Sequence, residues 1–389
     1  MIYLDHHATT PVDPRVFEAM RPYFTEVFGN ASSRTHRAGW QAHDAVEKAR
    51  KQVAALMGAD AREVIFTSGA TEANHLALAG VAAAAPPDRR HVVTLVTEHK
   101  SVLAPAARLV ESGWQVTELG VPPSGIVDPD AVAAAIGPHT SLVTVMLAHN
   151  EIGVVQPLAA IVRFAHAHGA LVHTDAVQAL GKLPVDVHAL GVDLASFSAH
   201  KLYGPKGVGA LFVRRGVDKR LRPVVTGGEQ ERGLRGGTLN VPGIVGFGAA
   251  CAIASREMAD ETVRLQGLRD RLWAGLRERV GEVSVNGATA PRLPGNLNVH
   301  VPGVEGETLL LGLTEIAVSS GAACLSAEPS HALRALGLSR DAALSSLRFG
   351  LGRGTTAEDI DRAVAHVSEV VGHLRAMAPV ARASAGARG

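Results

Sequence analysis

The sequence is poor in cysteine, in surplus charge of either sign and in long apolar runs. Only two cysteines, Cys251 and Cys324, occur in 389 residues. That is too few for a disulfide framework or for a zinc site built from thiolates. Lys+Arg number 38 against Asp+Glu 37, a formal charge of +1. No long basic or acidic block accompanies this balance, so nothing marks a nucleic-acid partner. The longest weakly polar stretch, Val241 to Ser255, is shorter than the ~20 residues that span a bilayer and is broken by Pro242 and glycines. Met1-Ile2-Tyr3-Leu4-Asp5 offers neither a basic nor an apolar leader segment, so no secretory signal is expected and the cytoplasm is the expected location. What is present is a chain 47% hydrophobic and 19% charged. Such a composition buries a sizeable core, and the length suits two domains or one large one.

From about residue 60 to 215, β-branched runs alternate with Ala-rich helical stretches. Val64-Ile65-Phe66-Thr67 reads as a strand and Thr71 to Ala84 as a helix. Strands are expected at His91–Thr97, Gln115–Leu119, Ser141–Leu147, Leu171–His173, Leu194–Phe197 and Ala210–Val213. Helices between them include Ser101–Glu111, one opened by Asp128-Pro129 and stopped at Gly137-Pro138, and Leu158–His168. Strands apolar on both faces, alternating with helices, predict a mostly parallel sheet covered by helices in an α/β fold. After Cys251 the texture changes. A charged helix from about Arg256 to Val280 leads into shorter strands and helices, a second and smaller α+β unit.

Three segments carry chemistry. Ser196-Phe197-Ser198-Ala199-His200-Lys201, followed by Tyr203-Gly204-Pro205-Lys206-Gly207, ends a strand in a Gly/Pro-rich loop. Open α/β sheets place ligands at that edge, where a desolvated lysine can form a Schiff base with an aldehyde. Leu171-Val172-His173-Thr174-Asp175 delivers a carboxylate at a strand end, suited to hold a pyridine nitrogen protonated. Thr67-Ser68-Gly69-Ala70-Thr71-Glu72 is a strand, glycine turn and helix start, whose free N–H groups suit a phosphate. Each alone has an ordinary structural explanation. Together they specify pyridoxal 5'-phosphate.

Those elements, with Ala8-Thr9-Thr10-Pro11, Thr97-Glu98-His99-Lys100, Asn150-Glu151-Ile152-Gly153, Arg235-Gly236-Gly237-Thr238, Ser319-Ser320-Gly321-Ala322-Ala323-Cys324 and Arg348-Phe349-Gly350-Leu351-Gly352-Arg353, cover nearly the whole chain. The chain resembles the NifS/IscS-type cysteine desulfurases, in the class V aminotransferase group of fold type I enzymes. The resemblance implies a seven-stranded-type sheet in a large cofactor-binding domain over 16–252. It also implies a small domain from 1–15 and 253–389, with the catalytic-cysteine loop at about 321–330.

By the same resemblance, Lys201 would carry the cofactor, Asp175 would pair with its ring nitrogen and Gln178 would reach its phenolic oxygen. Ala70, Thr71, Ser198 and His200 would line the phosphate seat, with Thr238 supplied by the neighbouring subunit of a homodimer. His99 would stack on the ring and act as acid and base. Asn150 would touch cofactor or substrate, while Arg348 and Asn30 would hold the substrate carboxylate. Cys324 would attack the sulfur of L-cysteine, leaving alanine and a persulfide for an acceptor protein such as an iron–sulfur scaffold. No resident metal is expected, although Cys324 could transiently ligate a cluster on a partner.

The residues bear on that assignment independently. Cys324 lies in Gly321-Ala322-Ala323-Cys324-Leu325-Ser326-Ala327, small residues without periodicity, where a thiol can be reached. Cys251 sits in an Ala/Gly-rich apolar helix and reads as a small buried hydrophobe. The competing expectations are a selenocysteine lyase, a small-substrate aminotransferase, or a silent sulfur-carrier scaffold. The histidines of Asp5-His6-His7 and His149 fit no metal-ligand spacing and are expected to be structural.

Overall fold

The computed structural model describes residues 1–320 and 328–377. Cys324 and most of the 321–330 loop therefore lie outside the described residues.

The central sheet comprises β1 (Val64–Thr67), β2 (His91–Leu95), β3 (Gln115–Leu119), β4 (Thr140–Thr144), β5 (Leu171–Asp175), β6 (Leu194–Ser198) and β7 (Gly209–Val213). Its spatial order is β1-β7-β6-β5-β4-β2-β3. Every neighbouring pair is parallel except the two made by β7, as the alternating sequence predicts. The inner strands β4, β5 and β6 are buried at every position, because helices cover both faces. Edge strand β3, by contrast, has no fully buried position.

Two hydrophobic clusters cover the sheet's faces. One includes Val143, Val172, Ala195 and Phe197 with Val46 and Val53 of helix α1 (Arg37–Met57). The other includes Ile65, Leu142 and Leu171 with Leu76 and Leu78 of helix α2 (Ala70–Ala84) and Val102 of helix α3 (Lys100–Glu111). Alternation of strand residues between the faces explains the split.

The largest departure from the sequence reading is the helix expected from Arg256. Helix α4 runs unbroken from Val241 to Arg279, 39 residues. Pro242 stands in its first turn and Asn240 accepts a hydrogen bond from Gly243 N, so the proline starts the helix rather than breaking it. Gly248 serves close packing: a Cβ there would lie 2.6 Å from the Ala49 Cα of α1. The amino-terminal half, with Phe247 and Cys251, packs in the first cluster. Leu265, Leu272 and Leu276 of the other half pack in a separate core.

That separate core is built on β8 (Ser284–Val285), β9 (Asn296–His300), β10 (Ser319–Ser320) and β11 (Ser346–Gly350) with helix α5 (Ala357–Met377). These strands form an antiparallel sheet in the order β10-β11-β9-β8. Ile2–Tyr3 pairs in parallel with Ile316–Ala317, and Ile2 and Leu4 join this core. Arg353 then reaches back to Asp13 at 2.6 Å and to Glu261 at 3.1 Å. Among the described residues no helix is long and apolar enough to cross a membrane.

Candidate active site

Strands β1, β4, β5 and β6 point their carboxyl ends at one edge, and the loop entering antiparallel β7 returns to it. A cavity of about 480 Å³ opens there. It brings together Ala70, Thr71, His99, Asn150, Asp175, Gln178, Ser198, His200 and Lys201, nine of the residues expected from the sequence. It also gathers Thr9, Ser68, Ser101, Met146, Val177 and Lys206, to which the sequence reading gave no role in the site.

Lys201 ends the single 3-10 turn that follows β6. Its Nζ donates to the carbonyls of His7 at 2.6 Å and Ala8 at 2.7 Å, with no carboxylate in direct contact. Burial, assisted by the charge of Arg348, lowers its pKa to about 8. A lysine so poised holds a sizeable neutral fraction near neutrality, which is what attack on an aldehyde requires. The rate at which added pyridoxal phosphate is taken up by the unloaded protein should therefore climb with pH, with a midpoint near 8. Stopped-flow absorbance would measure it. A midpoint near the ordinary lysine value of 10.5 would contradict this environment.

Asp175, the last residue of β5, is 4% exposed. Its Oδ1 accepts from Val177 N at 3.1 Å and its Oδ2 from Asn74 Nδ2 at 2.9 Å. Gln178 is held from the other side. One amide N–H donates to His7 O at 2.9 Å, and Oε1 accepts from Lys182 Nζ at 2.8 Å. Burial, with the repulsion of Lys201 next, lowers the Lys182 pKa to about 7. His200 Nδ1 lies 3.1 Å from Thr9 Oγ1, and burial beside Lys201 and Lys206 lowers that imidazole to about 4. The ring is thus a neutral polar wall rather than a cation.

The floor of the cavity is the start of α2. Its N-cap, Gly69, has φ +156° and supplies no capping side chain, and a Cβ there would meet nothing within 4 Å. The first turn of this 15-residue helix, without a capping side chain, therefore lines the cavity together with Thr71 and Ser198. Glu72 holds the turn: it accepts from Ser68 N at 2.7 Å and pairs with Arg235 at 2.8 Å.

Other expected residues stand apart. Arg348 does not line the cavity. Its guanidinium donates to Asp5 Oδ1 at 2.7 Å, to Ser319 Oγ at 2.8 Å and to the carbonyl of cavity residue Asn150 at 3.3 Å. Its Nε is buried with no partner among the described residues. Asn30 is exposed and caps its own turn, accepting from Ser32 N. Thr238 is exposed and outside the cavity wall. Cys251 is fully buried in α4, and burial pushes its thiol far above the ordinary range, as expected of an inert core residue. His149 spends both ring nitrogens on backbone, at Thr97 O and at the N–H groups of Glu151 and Ile152. Asn74 is the residue the sequence reading missed most plainly. It sits one helical turn after Thr71, a spacing that places both on one face of α2.

The donor set fits pyridoxal phosphate on its chemistry. A buried carboxylate suits a ring nitrogen, an amine of lowered pKa suits the aldehyde, and an uncapped helix start with hydroxyls suits the phosphate. The Aminotransferase class-V family model matches residues 2–363. The cysteine desulfurase IscS of Anaeromyxobacter dehalogenans (strain 2CP-C) is 53% identical over 97% of this chain and 94% of its own length. A solved NifS-like protein superposes with a TM-score of 0.90 at 38% identity, covering 96% of this chain and all of the other. The solved DndA of Streptomyces lividans is 40% identical with a TM-score of 0.76, over 88% of this chain and 97% of the other. The cofactor of such enzymes is pyridoxal 5'-phosphate. With geometry and similarity in agreement along almost its full length, the chain belongs to the class-V aminotransferase family, among its NifS/IscS-type cysteine desulfurases.

Proposed function

We propose that this chain desulfurates L-cysteine through a persulfide on Cys324, and that the site residues divide the work as follows. Lys201 anchors the cofactor aldehyde, Asp175 keeps the ring nitrogen protonated, and Gln178 offers its free amide N–H to the ring oxygen. Ala70 N–H, Thr71, Ser198 and His200 hold the phosphate, joined by Thr238 from a second copy of the chain. The exposure of Thr238 away from its own cavity supports that shared site and a homodimer. Bound pyridoxal phosphate supplies an electron sink for charge developing at the substrate Cα. Arg348, which donates to the carbonyl of Asn150 on the cavity wall and whose Nε has no partner among the described residues, takes the substrate carboxylate, a task that by the resemblance it shares with Asn150 and Asn30. Lys201, once its amine is free, takes the Cα proton, a role suited to a pKa near neutrality.

The sulfur then moves with a closed balance. The Cys324 thiolate forms an S–S bond to the substrate sulfur as the substrate C–S bond breaks. L-Cysteine and one thiol become L-alanine and one persulfide, with no outside oxidant. The persulfide passes to an acceptor protein, such as an iron–sulfur scaffold or another sulfur carrier, in the cytoplasm.

One observation carries the choice of this chemistry over amino transfer. β10 pairs with β11 so that Ser319 lies opposite Arg348, which contacts Asn150 on the cavity wall. Cys324 follows Ser320 by four positions, a tether of roughly 13 Å fully extended. A tether this short supports Cys324 as the group that meets the substrate sulfur. Incubated without oxygen, the loaded protein should release alanine from L-cysteine with no keto acid present. Strict dependence on an added keto acid, with no alanine from cysteine alone, would rule the proposal out.

A further inference from the structure

We propose that Asn74 and Ser101 are positioning residues that hold His99 in one tautomer, with Nδ1 bare and the ring proton on Nε2. His99 then meets the contents of the cavity as a proton donor. The inference rests on reading His99 as the acid and base of this site.

His99 is the N-cap of α3, and its Nδ1 accepts from Ser101 N at 3.1 Å. A backbone N–H can only donate, so Nδ1 carries a lone pair there, and the proton of the neutral ring sits on Nε2. Ser101 Oγ lies 2.7 Å from the same Nδ1. That hydroxyl is held in place by Asn74, which is fully buried. Its Nδ2 donates one hydrogen to Ser101 Oγ at 2.8 Å and the other to Asp175 Oδ2 at 2.9 Å. The Asp175 carboxylate, when ionised, only accepts, so the amide cannot turn its oxygen toward it. Because Nδ1 is a bare acceptor, the hydroxyl can only donate to it, and the Asn74 N–H holds Oγ from the other side in that orientation. Asn74 Oδ1, by contrast, has no partner among the described residues. An arrangement that leaves a buried acceptor unpaired indicates that the two donors are what the site uses.

Two donors thus converge on Nδ1, and protonating it would break both. The charged and titratable groups facing the ring are Asp175, Lys201, Glu151, His331 and His149. Asp175 and Glu151 favour the imidazolium, while burial and the remaining groups oppose it, and the net direction is down. The relay adds to that opposition and links it to Asp175, the carboxylate placed to face the cofactor ring.

The test reads the ring itself, with and without pyridoxal phosphate. In protein labelled with nitrogen-15 histidine, the His99 signals are assigned by their loss in His99→Asn. The relay predicts a protonated Nε2, a bare Nδ1 and a titration midpoint below the ordinary 6.5. Ser101→Ala should raise that midpoint by about 0.5–1 pH unit, the worth of one lost hydrogen bond. Asn74→Leu should raise it in the same direction, because the hydroxyl loses the N–H that orients it toward Nδ1. Ser101→Thr, which keeps the hydroxyl, should restore the low midpoint. A proton found on Nδ1, or a midpoint unmoved by Ser101→Ala, would overturn the assignment. Should Asn74→Leu not fold, the alanine and threonine variants at Ser101 decide alone. Because no turnover is read, failure here is separable from failure of the desulfurase reading, which His99→Asn activity tests on its own.

Discussion

Lys201→Ala is expected to leave turnover of L-cysteine below about one thousandth of the parent rate, a barrier increase of about 4 kcal/mol. Two roles are lost at once. The amine that donates to the carbonyls of His7 and Ala8 is a cavity nucleophile whose pKa burial brings down to about 8. It is also the group placed to move the Cα proton. The phosphate seat on α2 and the Asp175 carboxylate remain, so the variant should still bind pyridoxal phosphate, but reversibly. Borohydride treatment followed by peptide mass analysis separates the cases: the parent should retain the cofactor covalently on the Lys201 peptide. Loss of cofactor on denaturing Lys201→Ala, with retention by the parent, is the expected pair of results. A variant within tenfold of parent activity would remove Lys201 from the chemistry.

Cys324→Ser should be almost as damaging, but in a different place. A serine hydroxyl is far less acidic than a thiol with a pKa of about 8.5, so almost none is ionised near neutrality. Persulfide and sulfide formation should fall to background. Cofactor binding and the absorbance change on adding L-cysteine should persist, because Lys201, Asp175 and the α2 floor are untouched. Cys251→Ser serves as the control. Cys251 is buried in α4 and does not line the cavity, so its loss should leave turnover as it was, within the limits of any stability change. Normal turnover by Cys324→Ser would defeat the assignment of the nucleophile.

The parts of the fold legible in the sequence are those fixed by local pattern. Strands β4, β5 and β6 are buried at every position because both their faces are covered, and the Val, Leu, Ala and Phe residues at their centres are plain in the sequence. The proline at the start of α4 was harder to read. Pro242 followed by Gly243 looks like a break, but Asn240 caps that turn and turns the proline into a start. Site residues delivered by strand ends, such as Asp175 and Lys201, were likewise visible, since strand, short turn and polar residue are contiguous. Arg348 shows the opposite case. The sequence supplies an arginine for a carboxylate, but its pairing with Asp5 depends on joining positions 343 apart in the chain. Asn74 was hidden for the same reason, because its two partners come from α3 and β5. A lone asparagine in an Ala-rich helix gives no hint of either.

The most direct test of the central claim is the mass of the Cys324 peptide after anaerobic exposure of the loaded protein to L-cysteine. This account predicts a gain of one sulfur atom on Cys324, none on Cys251, and alanine released in matching amount. Alanine without added sulfur on Cys324, or sulfur added while no alanine forms, would contradict it.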